Sequence, residues 1–181
     1  EIIPKLRLLS NKGYSHQYYV DGSSTVADIY DGSKWRTILV GTLRSGGKSV
    51  FALDVTDPTN IELLWEFTDT DLGYTYNKPV ISRLHNGKWG VLIGNGYNST
   101  NQKAVMYVLD AVSGNVMKKL NTGVGSLAQP NGLAVPSPVD INGDLIIDYV
   151  YAGDLHGNLW RFDLIDTSKS YAVHGTKAEP A

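Results

Sequence analysis

The chain has 181 residues, 42% of them hydrophobic and 19% charged, with 16 basic against 18 acidic side chains and no cysteine. This is the balance of a folded globular protein, and it excludes disorder, a disulfide framework, a thiolate metal site and a cysteine nucleophile. A net charge of −2 supplies no basic field for nucleic acid, and no apolar run approaches the roughly 20 residues that span a bilayer, so neither a nucleic-acid partner nor a membrane-spanning segment is expected. The chain opens on Glu1 rather than Met and reads as a processed or excised piece.

Residues 1–18 read as a linking segment, because the helical spacing around Ile3 to Leu9 is too short and too close to Pro4 to found a helix. Beyond it, 19 Gly and 11 Tyr against 2 Met favour short strands and tight turns. In chain order the predicted strands include Thr37-Ile38-Leu39-Val40, Phe51-Ala52-Leu53-Asp54, Leu63-Leu64-Trp65-Glu66-Phe67, Val91-Leu92-Ile93, Tyr107-Val108-Leu109-Asp110 and Trp160-Arg161-Phe162-Asp163. Landmarks recur along the chain. Val26, Val80 and Val139 are separated by 54 and 59 residues, Gly41, Gly94 and Gly153 by 53 and 59, and Asp54, Asp110 and Asp163 by 56 and 53.

Three units, at about 19–70, 74–122 and 133–166, therefore carry the same order of strand, turn, strand, Gly-rich loop, strand, Asp-led turn and strand, with 167–181 as a second link. The expected fold is all-β, built of four-stranded antiparallel blades of a β-propeller. The recurrent order of landmarks favours it over a β-sandwich. A ring needs at least four blades, so about three blades predict an incomplete portion of a larger propeller. The repeated aspartates are expected to accept hydrogen bonds from their own turns, a structural role.

Between the first two strands of the third unit lies Asp140-Ile141-Asn142-Gly143-Asp144-Leu145-Ile146-Ile147-Asp148. Oxygen side chains stand at positions 1, 3, 5 and 9, and the Ile146 carbonyl falls at position 7. That pattern suits a hard cation such as Ca²⁺, which takes 6 to 8 oxygen ligands. Three crowded carboxylates repel one another, and a divalent ion relieves the repulsion. An EF-hand fits poorly, since its twelfth position would be Tyr151 and the flanks read as strands; the β-hairpin calcium loops of integrin-type propellers fit better. Those loops carry Gly at position 6, where this chain has Leu145, so the turn is expected to close differently. Turn geometry alone does not demand the acids, because the equivalent loop of the second unit has Ile81, Arg83, His85 and Trp89 at the aligned positions.

Other motifs fall away. Gly46-Gly47-Lys48-Ser49 ends like a phosphate loop, but Thr42 stands where its first glycine belongs and a strand follows instead of a helix. The four histidines share no metal-triad spacing, and no nucleophile–base arrangement is apparent, so no catalytic residue is nominated. Trp35, Trp65, Trp89 and Trp160 stand at strand positions and are expected to pack between blades rather than bind sugar or a ring cofactor.

The stretch Tyr151-Ala152-Gly153-Asp154-Leu155-His156-Gly157-Asn158-Leu159-Trp160-Arg161-Phe162-Asp163-Leu164, directly after the acidic loop, resembles the C-terminal domain of the PilC/PilY family, tip-associated proteins of bacterial type IV pili. Tyr19-Val20-Asp21-Gly22-Ser23, Phe51–Pro58 and Gly94-Asn95-Gly96-Tyr97-Asn98-Ser99 agree, in order, over about residues 14–166. The resemblance implies a modified, quinoprotein-like propeller on the outer surface of a Gram-negative bacterium, at the pilus tip, acting in pilus biogenesis, adhesion and twitching motility. It implies pilin or minor pilin subunits and a host-cell surface as partners, and calcium tuning pilus extension against retraction. Carried over, the ligands are Asp140, Asn142, Asp144, Asp148 and the carbonyl of Ile146. The integrin-binding RGD segment of some members is lacking. Two alternatives are a quinoprotein-type dehydrogenase and a purely structural calcium staple.

Overall fold

Where glycine or aspartate ends an apolar run, the chain reverses and pairs with itself. The computed structural model describes residues 2–165 and the backbone of 173–177. It contains three four-stranded antiparallel sheets, each a meander in which strands adjacent in sequence are adjacent in the sheet. The first comprises β1 (Thr25–Tyr30), β2 (Trp35–Thr42), β3 (Val50–Asp54) and β4 (Glu62–Phe67). The second comprises β5 (Val80–Arg83), β6 (Trp89–Gly94), β7 (Val105–Asp110) and β8 (Val116–Asn121). The third comprises β9 (Ser137–Val139), β10 (Tyr149–Gly153), β11 (Asn158–Asp163) and β12 (Val173–Lys177). The chain is all-β, and its three sheets form part of a propeller. A 3-10 helix, Ile3–Ser10, precedes them.

Strand β12 lies inside 167–181, the segment that reads as a link. Val173-His174-Gly175-Thr176-Lys177 lacks the apolar alternation that announces a strand, and its place comes from backbone pairing with β11, from Phe162↔Val173 to Asn158↔Lys177.

The sheets stack through two apolar layers. Ile29, Ile38, Val40, Val50, Ala52, Trp65 and Phe67 of the first sheet meet Val91, Ile93, Val105, Tyr107 and Leu109 of the second. Leu92, Met106, Val108 and Leu120, on the other face of that second sheet, meet Val150, Ala152 and Phe162 of the third. Successive strand residues face opposite sides, so the central sheet buries both. This accounts for the unbroken apolar runs of β6 and β7, whereas β1 alternates because one of its faces is open.

The repeated aspartates do serve their own turns. Asp54 accepts from the Thr56 N–H, Asp110 from those of Val112 and Ser113, and Asp163 from that of Ile165. The tryptophans divide. Trp65 is buried and donates Nε1–H to the Ala111 carbonyl, half-buried Trp89 packs on the first core, and half-buried Trp160 packs on the second and donates to Asp154. Trp35 meets the next blade only at the edge of the seam, where its ring stands 6.3 Å from that of Trp89. It is paired with Tyr30 at the end of the first hairpin and is 61% exposed.

Candidate metal centre

The acidic loop connects β9 to β10 after the pair Val139↔Tyr149. Its side chains organise it. The two carboxylate oxygens of Asp140 accept the Gly143 and Leu145 N–H groups at 2.7 and 2.8 Å. The Asn142 carbonyl oxygen accepts from the Asp144 N–H, and its amide donates to the Asp144 carboxylate, both at 3.1 Å. Asp144 accepts the Ile146 N–H at 2.9 Å, and Asp148 reaches back to accept that of Ile141 at 2.8 Å. All four oxygen-bearing side chains are thus turned toward the loop's own backbone. Desolvation works to raise the pKa of Asp140, but the N–H donors of Leu145, Gly143, Asp144 and Asn142 outweigh it and hold the carboxyl below its ordinary value.

The turn closes at two left-handed residues, Gly143 with φ 78° and Leu145 with φ 66°. Leu145 occupies position 6 in the backbone conformation that glycine takes most easily, with its side chain 82% exposed. A non-glycine residue in this region costs on the order of 1 kcal/mol. The loop therefore keeps the left-handed turn without the glycine.

One end is anchored in the second sheet. Asp148 is buried, and its other oxygen lies 2.9 Å from His85 Nε2. The Ile147 N–H donates to the Arg83 carbonyl at 3.1 Å, and Arg83 bridges Ile146. Sequence comparison pairs His85 with Asp144 as equivalent loop positions and misses that His85 touches the loop. The signal was its offset, since equivalent turns of adjacent blades lie at the same end and become neighbours. Asp140, Asn142, Asp144 and Asp148 share one loop, yet among the described residues no three His, Cys, Asp or Glu side chains converge closely enough to hold a metal ion. The donor set is nevertheless all oxygen, the chemistry a hard cation requires, and a carboxylate that accepts one or two N–H bonds keeps lone pairs free.

At the opposite end of β10 from the loop, Asp154 gathers the side chains of Asn131, Asn158 and Trp160 and the backbone N–H groups of His156 and Asn158. The Asp-Leu-His-Gly-Asn-Leu-Trp stretch that carries the family resemblance is thus a closed structural knot.

The family profile described as PilY1 beta-propeller domain matches residues 1–179. Among curated proteins, the type IV pilus biogenesis factor PilY1 of Pseudomonas aeruginosa strain PAO1 is 53% identical over 170 residues, covering 91% of this chain and 15% of that protein. A PilY1 homolog of Xylella fastidiosa is 43% identical over 177 residues, covering 90% of this chain and 12% of that protein. The chain thus spans about a seventh of the length of these relatives. Among solved structures, the Pseudomonas aeruginosa PilY1 C-terminal domain superposes with a TM-score of 0.76 at 53% identity, over 87% of this chain and 33% of that one. The stacked sheets, the acidic hairpin loop and these matches together place the chain in the PilY1 β-propeller family of type IV pilus biogenesis factors.

Proposed function

We propose that this chain is a non-catalytic calcium-binding module of a type IV pilus tip-associated protein, and that loop occupancy tunes pilus extension and retraction. The observation that carries it is the loop itself: Asp140, Asn142, Asp144 and Asp148 all face the loop backbone, with the Ile146 carbonyl completing the oxygen set. Calcium supplies positive charge that neutralises the three carboxylates of the loop. Asp140, Asp144 and Asp148 draw inward as their repulsion is relieved. Asp148 is tied to His85 and Ile147 to Arg83, so order in the loop passes to the end of β5 and the adjacent sheet. The rigid surface then favours one set of contacts with pilin or minor pilin subunits, or with a host cell, outside the bacterium. Membership in a pilus biogenesis family favours this reading over a dehydrogenase.

Calorimetric titration of the full-length polypeptide with calcium tests it. One saturable site is expected, weakened about tenfold or more by Asp144→Ala and by Asp140→Ala. A heatless titration of the unmutated protein overturns the proposal. If the variants lose stability while twitching falls only in proportion to the folded protein, the site is a staple and its regulatory part is overturned.

A further inference from the structure

Three turns meet where the first and second sheets adjoin: 31–34 between β1 and β2, 84–88 between β5 and β6, and 111–115 between β7 and β8. They bound a cleft of about 540 Å³, whose lining includes Tyr30, Asp31, Lys88, Trp89, Asp110 and Ser113. That volume lies within the range of roughly 300–1,000 Å³ usual for small-ligand sites.

One wall is aromatic and open. Trp35 stands against both lining rings, its centroid 5.8 Å from Tyr30 at an interplanar angle of 60° and 6.3 Å from Trp89 at 70°. Trp35 and Tyr30 are 61% and 45% exposed, an unfavourable placement for large apolar rings unless something lies on them. The rest of the rim is polar and held in place. Asp110 accepts the Val112 and Ser113 N–H groups on one oxygen, each at 3.0 Å, and Lys88 Nζ at 3.1 Å on the other. Asp31 is fixed in the same way, by the N–H groups of Ser33 and Lys34 on one oxygen and by Arg36 Nε on the other. Lys88 itself is 62% exposed and keeps donors for a ligand.

This combination selects a ligand class. A cation is disfavoured by Lys88, and the angled rings form a wall rather than a cage. A phosphate or other anion meets Asp31 and Asp110 and finds the neighbouring cations already paired, Arg36 with Asp31 and Lys88 with Asp110. A molecule with an apolar C–H face and hydroxyls round its edge satisfies both parts: the face lies on the rings, and each hydroxyl donates to a fixed carboxylate while accepting from the lysine. We propose that the cleft binds a neutral saccharide, with Trp35, beside its lining rings Tyr30 and Trp89, as the stacking platform at the mouth, and Asp110 and Lys88 reading adjacent hydroxyls.

The test is calorimetric titration of the full-length polypeptide, in chelator so that the result stands apart from the calcium loop, with maltotriose, lactose and N,N′-diacetylchitobiose. Saturable binding of at least one is expected, and Trp35→Ala and Lys88→Ala, both at exposed side chains, should each weaken it about tenfold with unchanged circular dichroism. Absence of saturable binding for all three sugars up to about 10 mM overturns the proposal, as does binding that both variants leave intact. Saturable binding of decaproline that Trp35→Ala abolishes, with no sugar binding, overturns it in favour of a proline-rich peptide.

Discussion

Asn95 shows how much one buried amide can hold. Its Nδ2 donates to the Asp71 and Lys103 carbonyls at 2.8 and 2.7 Å, and its Oδ1 accepts the Val105 and Leu133 N–H groups at 3.1 and 3.0 Å. It therefore pins the link from the first sheet, the start of β7 and the link into the third sheet at a point fully shut from water. Asn95→Ala leaves four backbone groups without partners, and a loss of about 4 kcal/mol is expected in urea denaturation. A loss below about 1 kcal/mol would mean that water replaces the amide. The sequence marks Gly94-Asn95-Gly96 as a family segment but does not say why, because its partners lie up to 38 residues away.

At the scale of the element, the Asp-led turns close β3 and β7 and set the acid limit of stability. Asp54 accepts the Thr56 hydroxyl and N–H and the Arg36 guanidinium at 2.7 Å, in that order of effect, which lowers its pKa from the ordinary 3.8 to about 2. A depressed folded value means that the turn contributes its full stability above about pH 4 and loses it as pH falls toward 2. Acid denaturation of Asp54→Asn is accordingly expected to show a flatter stability profile between pH 4 and 2 than the parent. Identical profiles would remove Asp54 from that limit. These turns were legible in the sequence because an aspartate two or three residues before its N–H partner is local chemistry. The recurrent glycines were legible as landmarks only. A Cβ on Gly94 would stand 2.3 Å from the Ala134 carbonyl oxygen, one on Gly41 would strike the Phe51 ring at 2.5 Å, and one on Gly153 would meet nothing nearer than 3.9 Å.

Across the whole molecule, the outer face of the first sheet carries an apolar row, Val26, Leu39, Leu53 and Leu63, in register from β1 to β4. Val26 and Leu63 are 55% and 65% exposed. Such a row on a blade face is what the neighbouring blade of a propeller covers, and the chain accounts for a third of the solved domain it matches. In the longer polypeptide, Leu63→Lys is therefore expected to cost about 2 kcal/mol on chemical denaturation, the worth of burying a leucine. In the 181-residue chain alone the same change should cost nothing and should reduce self-association in sedimentation. Equal stability of both forms of the longer polypeptide would leave this face without a covering blade.

The division between sequence and fold follows from range. Strand positions, the Asp turns and the acidic loop rest on residues a few positions apart, and the three-unit repeat on landmarks that recur every 53 to 59 residues, so periodicity and turn chemistry expose them directly. The contact of His85 with Asp148 spans 63 residues, the aromatic wall joins two blades, and β12 gains its place from pairing with β11. Those features required the stacking of sheets, because a repeat predicts that blades are alike but not which side chains meet across the seam between them. The acidic loop lies on such a seam: its acids are written in the third unit, and the groups that anchor it, His85 and Arg83, belong to the second.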